Sequence, residues 1–260
     1  MQTISNTPDQ AFLRLLEIMN ELREKCPWDK LQTLESLRHL TIEETYELSD
    51  AILNNNITEL KKELGDVLLH VVFYAKIADE QLHFDITEVI NFVCEKLIFR
   101  HPHVFGNTVA KDEQTVKQHW EKRKLQEKDR NQSILSGVPN SLPALIKAWR
   151  VQQKVAGVGF DWDNKEQVFE KIQEEILEFY QATDELKKEE EFGDLLFSLV
   201  NYARFINIEP ETALEKSNRK FIRRFQTMEN RVLADGKSLQ NLSLSEMDHY
   251  WNIIKKGEQS

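Results

Sequence analysis

The sequence contains two short motifs that place carboxylates at helical spacing: Glu-Glu-x-x-Glu and, after a short connection, Glu-x-Gly-Asp. Residues three apart share one face of a helix, so Glu175 and Glu178 lie together on one helix and Glu191 and Asp194 on the next. If these helices pack antiparallel, the four carboxylates meet, and a divalent cation would relieve their mutual repulsion. Oxygen ligands alone favour hard ions, with Mg²⁺ the first choice and Mn²⁺ a substitute.

The pair of motifs occurs twice in the chain. Residues 43–47 and 63–66 read EETYE and ELGD, and residues 174–178 and 191–194 read EEILE and EFGD. One such motif alone is compatible with a solvated helix face, but its recurrence in the same order favours a metal site. The first copy then has a second, weaker set of metal ligands, which are Glu44, Glu47, Glu63 and Asp66.

The likeness between the copies extends beyond the carboxylates, which indicates a tandem duplication. Gly65 and Gly193 occupy the same place, although glycine inside a helix costs about 1 kcal/mol, and close approach of a neighbouring helix or a ligand would explain them. Residues 27–29 (PWD) are loosely echoed by 160–163 (FDWD). Pairs four residues apart also recur: Lys96/Arg100 with Lys220/Arg224, and Trp120/Lys124 with Trp251/Lys255.

Basic side chains accompany the second copy at one-turn spacing and suit a substrate with several phosphates. Trp251 has a planar ring that can stack on a base, although a core position would also explain it. Lys187 and Lys188 are equally compatible with solvated surface charge. The candidate nucleotide-binding residues are Lys171, Lys187, Lys188, Lys220, Arg224, Trp251 and Lys255.

Helical periodicity dominates the chain, and glycine (8) and proline (6) are scarce, so we expect an all-α fold of two tandem helical bundles. Residues 131–143 are the predicted linker because they contain two prolines, one glycine and three serines. The predicted domains are 1–130 and 144–260, and residues 100–106 are predicted to be a stop and a loop. Helices are predicted near 34–53, 58–79, 86–99, 112–127, 144–155, 165–184, 187–206, 211–233 and 243–256.

The composition limits the partners and the compartment. With 44 acidic and 34 basic residues the net charge is −10, which argues against direct nucleic-acid binding, whereas metal ions can supply positive charge for a polyphosphate. The two cysteines have no metal-binding spacing and suit reduced thiols in a cytoplasmic protein. The N-terminal residues lack a signal-peptide pattern, and the apolar run at 67–75 is too short to span a membrane.

The paired motifs resemble the signature of the all-α nucleoside triphosphate pyrophosphohydrolases. Four further segments are similar to two-domain MazG proteins: CPWDK at 26–30, HPHVFGN at 101–107, SLPAL at 141–145 and VGFDW at 158–162. The resemblance covers nearly the whole chain. It implies Mg²⁺-dependent hydrolysis of NTPs and dNTPs to nucleoside monophosphate and pyrophosphate by a homodimer, for nucleotide-pool control or house-cleaning.

The resemblance also implies roles for individual residues. The four carboxylates of the second copy match the metal ligands, and the seven basic and aromatic residues given above match nucleotide contacts. Glu174 matches a group that orients or deprotonates the attacking water, so the expected catalytic residues are Glu174, Glu175 and Glu178.

The two copies differ in the lysines around their carboxylates. The first copy has Leu40, Glu59 and Leu60 at the positions where the second copy has lysines 171, 187 and 188. The first copy therefore keeps its metal ligands but loses part of the charge that would bind phosphate. We predict that the second copy carries most of the activity, and that the first is weak, narrower in substrate, or structural.

Two other functional classes are compatible with parts of the sequence. A di-iron carboxylate bundle needs Glu-x-x-His pairs, and Glu80 with His83 and Glu246 with His249 have that spacing. Neither pair belongs to the repeated motifs, so we interpret both as coincidences. A non-enzymatic tandem helical interaction module would also contain repeated helices, but it predicts no turnover of nucleotides.

Overall fold

The structure is a computed structural model that describes residues 7–108, 112, 116, 120, 123 and 133–257. Within these residues it contains ten α-helices and no strand, which confirms the predicted all-α fold. Lys124, most of the predicted helix at 112–127, and residues 131–132 of the predicted linker lie outside the described residues. The helices are α1 Pro8–Lys25, α2 Leu34–Leu53, α3 Ile57–Glu80, α4 Ile86–Arg100, α5 Pro102–Phe105, α6 Ala144–Ala156, α7 Lys165–Gln181, α8 Glu185–Phe205, α9 Pro210–Ala234 and α10 Leu244–Gly257.

The four helices that carry the repeated carboxylates each begin at a side-chain cap. A side-chain oxygen of the capping residue accepts a hydrogen bond from the backbone N–H three residues later, at 2.9–3.2 Å. Each such cap contributes about 1 kcal/mol and determines where its helix starts. The capping residues are Thr33, Asn56, Asn164 and Asp184.

The segment predicted to be a loop at 100–106 contains one helical turn. Helix α4 ends at Arg100, and α5 follows with Pro102 in its first turn. Proline suits that position because its φ is already helical and its missing N–H would have no partner there. The loop prediction is therefore wrong for the four residues of α5.

The chain divides into two compact units, residues 1–120 and 121–260. This division precedes the predicted linker, and the predicted domain boundaries stay a prediction. In the first unit α2 packs along α3, and α1 packs on α3. The buried core of this unit consists of Met19, Leu37, Val72, Phe73 and Ile77.

In the second unit α7 packs along α8, α6 packs on α8, and α9 and α10 pack on each other. Lys154 of α6 is buried, and its Nζ donates to the carbonyl oxygens of Ile134 at 3.2 Å and Ser136 at 2.8 Å. This lysine therefore holds the start of the predicted linker against α6. Among the described residues, no helix combines the length and the apolar character needed to cross a bilayer.

Candidate functional site

Three acidic side chains of the second unit meet where α7 packs along α8. One carboxylate oxygen from each of Glu175, Glu178 and Glu191 lies within 4.8 Å of the other two. Glu175 is only 4% exposed, whereas Glu191 is half-buried and Glu178 is exposed, so the cluster opens from the helix interface towards solvent. Asp194, the fourth predicted ligand, is exposed and does not belong to this group of three.

Lys171 supplies positive charge to this cluster from one turn earlier on α7. Its Nζ lies 2.6 Å from Glu175 Oε1 and 2.9 Å from Glu174 Oε1. Hydrogen bonds to Glu174 and then to Glu175 raise the pKa of Lys171 above its ordinary value, so the ammonium stays charged. The second oxygen of Glu175, Oε2, is buried and has no hydrogen-bond partner among the described residues. Because an unpartnered buried carboxylate oxygen is costly, a cation would complete this site.

The first unit has a similar cluster between α2 and α3, but its third member comes from α3, whereas the third member in the second unit comes from α7. Oxygens of Glu44, Glu63 and Asp66 lie within 4.8 Å of one another. Glu63 is 2% exposed; its Oε1 lies 2.9 Å from Lys62 Nζ, and its buried Oε2 lacks a partner within the described part of the chain. Glu47, the fourth predicted ligand, is exposed and does not join this group. Each unit therefore brings together three of its four predicted ligands.

In each cluster the pKa of one glutamate is raised by burial and by the negative charges of its neighbours, as like charges at short range do. Burial is the largest cause of the raised pKa of Glu44, and the charges of Asp66 and Glu47 follow. Burial also contributes most to the raised pKa of Glu191, followed by the charge of Glu178. A bound cation would relieve this repulsion, and the donor atoms of both clusters are carboxylate oxygens. Both clusters can therefore hold a metal ion.

A polar network one turn from the first cluster is not predicted by the sequence. Thr41 Oγ1 lies 2.9 Å from His70 Nδ1 and 2.6 Å from the Tyr74 hydroxyl oxygen, and it donates to the Leu37 carbonyl at 3.1 Å. When the Thr41 hydroxyl donates to the Leu37 carbonyl, it has no proton left, and His70 and Tyr74 can then only donate to it. Burial lowers the pKa of His70. The feature of the sequence that could have revealed His70 is helical spacing, because His70 follows Asp66 by one turn of the same helix.

No other part of the described chain packs closely against the repeated glycines. A Cβ atom added at Gly65 or at Gly193 would have no neighbour within 4 Å. Approach of a neighbouring helix, one of the two explanations for these glycines, is therefore not found within the described residues, and approach of a ligand stays a prediction. Both positions instead face open space beside the carboxylates.

Lys187 and Lys188 lie in the first turn of α8, just before Glu191. Lys188 Nζ is 3.4 Å from Glu185 Oε1 on the same turn. Lys187 is exposed, and its charge lowers the pKa of Glu191 against the larger opposing effects of burial and Glu178. Lys187 thus acts electrostatically on the cluster.

The remaining predicted nucleotide contacts lie on α9 and α10. Lys220 and Lys255 are exposed and Arg224 is half-buried. Trp251 packs against Phe221, with ring centroids 5.1 Å apart, and on the core of Met228, Val232 and Tyr250. The described residues show no hydrogen bond or ion pair from Lys220 or Lys255 to the carboxylates, and the predicted role of these four residues stays a prediction.

The glutamates of the di-iron hypothesis have other partners. Glu80 forms an ion pair with Arg23. Glu246 accepts hydrogen bonds from the Ser243 backbone N–H at 2.8 Å and from the Ser243 hydroxyl at 2.7 Å, which closes a cap at the start of α10. The two acidic clusters found in the described residues contain no histidine, so they do not supply the ligands of a di-iron centre.

Known proteins are similar to this chain along nearly its whole length. The nucleoside triphosphate pyrophosphohydrolase/pyrophosphatase MazG of Thermotoga maritima is 49% identical over 252 residues, which cover 96% of this chain and 97% of that protein. The chain belongs to the MazG family. The nucleoside triphosphate pyrophosphohydrolase of Escherichia coli K12 is 43% identical over 255 residues, which cover 94% of this chain and 97% of that protein.

The model of the MazG nucleotide pyrophosphohydrolase domain matches residues 32–105, which contain the first pair of motifs. A crystal structure of a mazG-related protein from Thermotoga maritima is 29% identical, covers 43% of this chain and 97% of its own, and has a TM-score of 0.39. Membership of the MazG family confirms the resemblance that the paired motifs predict.

Proposed function

We propose that this MazG family member hydrolyses NTPs and dNTPs to nucleoside monophosphate and pyrophosphate with Mg²⁺ as its metal ion. The observation that carries the proposal is the buried Glu175, whose Oε2 lacks a partner among the described residues and which adjoins Glu178 and Glu191. The relatives named nucleoside triphosphate pyrophosphohydrolase support this substrate class. Such an activity would serve nucleotide-pool control or house-cleaning.

The carboxylates of the second unit suit a hard cation, with Mn²⁺ able to replace Mg²⁺. Glu175, Glu178 and Glu191 offer three oxygens within 4.8 Å of one another, and Asp194, one turn after Glu191, is the proposed fourth ligand. When bound, the ion would polarise the phosphate oxygens and lower the pKa of a coordinated water.

Glu174 is the proposed residue that orients or deprotonates the attacking water. It precedes Glu175, more than half of its side chain is exposed, and its Oε1 lies 2.9 Å from Lys171 Nζ. The water oxygen forms the new bond to the α- or β-phosphorus, and its proton passes to the Glu174 carboxylate. The bond from that phosphorus to the oxygen between the α and β phosphorus atoms breaks, which releases nucleoside monophosphate and pyrophosphate. The ammonium of Lys171 lies beside the carboxylates of Glu174 and Glu175. It would also neutralise negative charge on the phosphate oxygens of a substrate bound at this cluster.

We assign most of the activity to the second unit. Lys171 lies at its cluster, whereas the equivalent Leu40 packs on the hydrophobic core of the first unit. The first unit keeps a weaker metal site made by Glu44, Glu47, Glu63 and Asp66. The remaining proposed nucleotide contacts of the second unit are Lys187, Lys188, Lys220, Arg224, Trp251 and Lys255.

Two copies of the chain are proposed to form a homodimer. Equivalent apolar side chains on α3 and α8 are exposed in both units, at a spacing that forms one stripe along each helix. Gly65 and Gly193, with open space beside them, lie on the same helices. An incoming helix would bury this stripe, and sedimentation equilibrium at micromolar concentration tests the expected dimer. The exposed residues are Leu64, Leu68, Val71, Phe192, Leu196 and Leu199.

The direct test is to incubate the full chain with ATP or dGTP and Mg²⁺ and to identify the products by anion-exchange chromatography. The expected products are nucleoside monophosphate and pyrophosphate. Nucleoside diphosphate and phosphate would overturn the proposal. No turnover would also overturn it and would favour the non-enzymatic interaction module.

A matched pair of variants tests the assignment to the second unit. Glu175→Gln and Glu44→Gln change equivalent members of the two clusters. We expect Glu175→Gln to abolish turnover and Glu44→Gln to leave most of it. The opposite result would place the principal site in the first unit.

A further inference from the structure

The second unit contains a cavity of about 430 Å³ between α6, the loop at 159–162 and the C-terminal half of α8. This volume lies within the range of roughly 300–1,000 Å³ that is usual for small-molecule sites. The cavity is lined mainly by apolar and aromatic side chains, with a few polar groups from Gln152, Asn201 and Arg204. Such a composition fits a ligand with a largely apolar body and polar edges.

Gln152 is a buried polar side chain with an unused acceptor in the wall of this cavity. It is 4% exposed, and its Nε2 donates to the Phe197 carbonyl oxygen at 2.8 Å. A carbonyl can only accept, so the other amide atom of Gln152 is the oxygen Oε1. This Oε1 is buried and has no hydrogen-bond partner among the described residues. A ligand with an N–H group would satisfy it.

Asn201 provides a hydrogen-bond donor in the wall of the same cavity. Its Oδ1 accepts hydrogen bonds from Arg204 Nε at 3.1 Å and from Arg204 Nη2 at 2.8 Å, so its amide NH₂ is the group left to donate. Arg204 also forms a two-pronged ion pair with Asp161, which neutralises the charge at this wall. The cavity is therefore complementary to a neutral ligand that carries both a hydrogen-bond donor and a hydrogen-bond acceptor.

Aromatic rings complete the chemistry of the cavity. Phe197 and Trp162 both line it, and each is only partly covered by the protein. A flat ring that enters the cavity could stack on these side chains. A planar heterocycle with a donor and an acceptor on its edge describes a nucleobase.

The cavity lies on the same helix as the carboxylate cluster, further towards the C-terminal end of α8. At about 100° per residue, Asp194 lies about 60° from Glu191 around the helix and only about 20° from Asn201. Asp194 and Asn201 are about 10 Å apart along the axis. Asp194 therefore stands between the three-carboxylate cluster and the cavity, so phosphates held at the cluster would leave the base directed along α8.

The first unit has a smaller cavity, of about 170 Å³, between α1, α3 and the start of α4, and a large side chain is buried at the place where the second unit has Asn201. In the register of the repeat, Phe73 corresponds to Asn201. Phe73 is 3% exposed in the core, and the Arg23 guanidinium lies over its ring at 5.6 Å. The asparagine of the second copy thus lines the larger cavity, whereas the corresponding phenylalanine of the first copy is buried in the core and does not line the smaller one.

We propose that this cavity binds the nucleobase of the triphosphate substrate. The proposal rests on the proposed function, since it presumes that phosphates bind at the carboxylates. It makes Gln152 and Asn201 the residues that hydrogen-bond the base, and it makes the second unit the unit that recognises the nucleoside.

Binding of free nucleosides tests the cavity without phosphates or metal. Saturation-transfer NMR would be run on the full chain with adenosine, guanosine, cytidine and uridine in EDTA. We expect at least one nucleoside to bind, and we expect Asn201→Phe, which copies the first repeat, to weaken it about tenfold or more. Gln152→Met keeps the length of the side chain while removing its hydrogen bonds, and it should weaken binding by a similar factor.

Turnover separates failure of this inference from failure of the proposed function. Both variants should raise the KM for the nucleoside triphosphate, with the folded state checked by circular dichroism. If the wild type binds nucleosides but hydrolyses nothing, the proposed function is wrong and the cavity assignment stands. If it hydrolyses triphosphates while neither variant changes nucleoside binding or KM, or only Trp251→Ala does, the base lies elsewhere and the inference is overturned.

Discussion

Replacing Lys171 by Met tests whether the second cluster is built for a cation. The substitution removes the ammonium that touches Glu174 and Glu175 but keeps an unbranched apolar stem. Glu175 would then be buried with neither oxygen paired to a cation. We expect the metal-free protein to lose stability and the loss to shrink when Mg²⁺ is added.

The magnitude follows from the burial of the two partners. A buried group left without its partner costs about 1–3 kcal/mol. The side chain of Lys171 is 32% exposed and that of Glu175 is 6% exposed, so solvent screens part of the pair and about 1–2 kcal/mol is expected. Mg²⁺ at a hundred times its Kd stabilises a folded protein by about 2.7 kcal/mol. The ion no longer competes with Lys171 in the variant, so its stabilisation of the variant exceeds that of the wild type.

Scanning calorimetry in EDTA and in excess Mg²⁺ measures both quantities for the wild type and Lys171→Met. Lys216→Met is the matched control, because it removes the same charge from an exposed position on α9 of the same unit and should change the metal-free stability little. A Lys171→Met variant that is as stable as the wild type in EDTA would show that the cluster does not need this cation. A difference in stability that is the same with and without Mg²⁺ would show that the ion does not replace it.

Three further outcomes are expected. Glu178→Ala should abolish turnover of ATP with Mg²⁺, while Glu47→Ala leaves most of it. If Glu47→Ala abolished turnover instead, the first unit would be the active one. The hydrogen bond from Arg23 lowers the pKa of Glu80 below 4.5, so this pair stabilises the protein above that pH and the stabilisation is lost as the pH falls through the lowered value. Urea unfolding should therefore show Glu80→Gln destabilised by up to about 1 kcal/mol at pH 7, after allowance for solvent screening, and this difference should shrink as the pH is lowered below 4.5. A difference that does not change with pH would contradict this. Lys154→Met should remove the ammonium that donates to the carbonyls of Ile134 and Ser136, and limited proteolysis should cut at 133–138 faster than in the wild type. Unchanged cleavage would show that the lysine does not hold the segment.

The parts of the molecule that depend on local rules could be predicted from the sequence. Spacing of three residues puts Glu175 and Glu178 on one face, and spacing of four puts Lys171 against Glu175, because both relations belong to a single helix. The all-α fold follows from helical periodicity and the scarcity of breakers. The meeting of Glu191 with these residues needed one more assumption, antiparallel packing of neighbouring helices, which the short connection favours.

Features that depend on distant residues could not be predicted in the same way. The unused acceptor of Gln152 arises only because α6 packs on α8 and brings Phe197 to its amide. The exclusion of Asp194 from the group of three depends on side-chain direction, which spacing alone does not give. Burial of Lys154 reverses the usual preference of lysine for solvent, and it depends on two carbonyls in a segment without regular structure.

The two lysines that neutralise the buried glutamates have a consequence for how such a repeat evolves. Lys171 reaches Glu175 from one turn earlier on the same helix, whereas Lys62 is the immediate neighbour of Glu63 on the other helix of its pair. In each copy a lysine ammonium lies beside one oxygen of the buried glutamate, and that glutamate belongs to the Glu-Glu-x-x-Glu motif in the second copy and to the Glu-x-Gly-Asp motif in the first. After duplication, the buried glutamate and its lysine could therefore change position together while all the carboxylates stayed in the sequence. Such a change would keep a lysine beside the buried glutamate of each copy and would leave only the second copy with an ammonium beside both glutamates of its Glu-Glu pair.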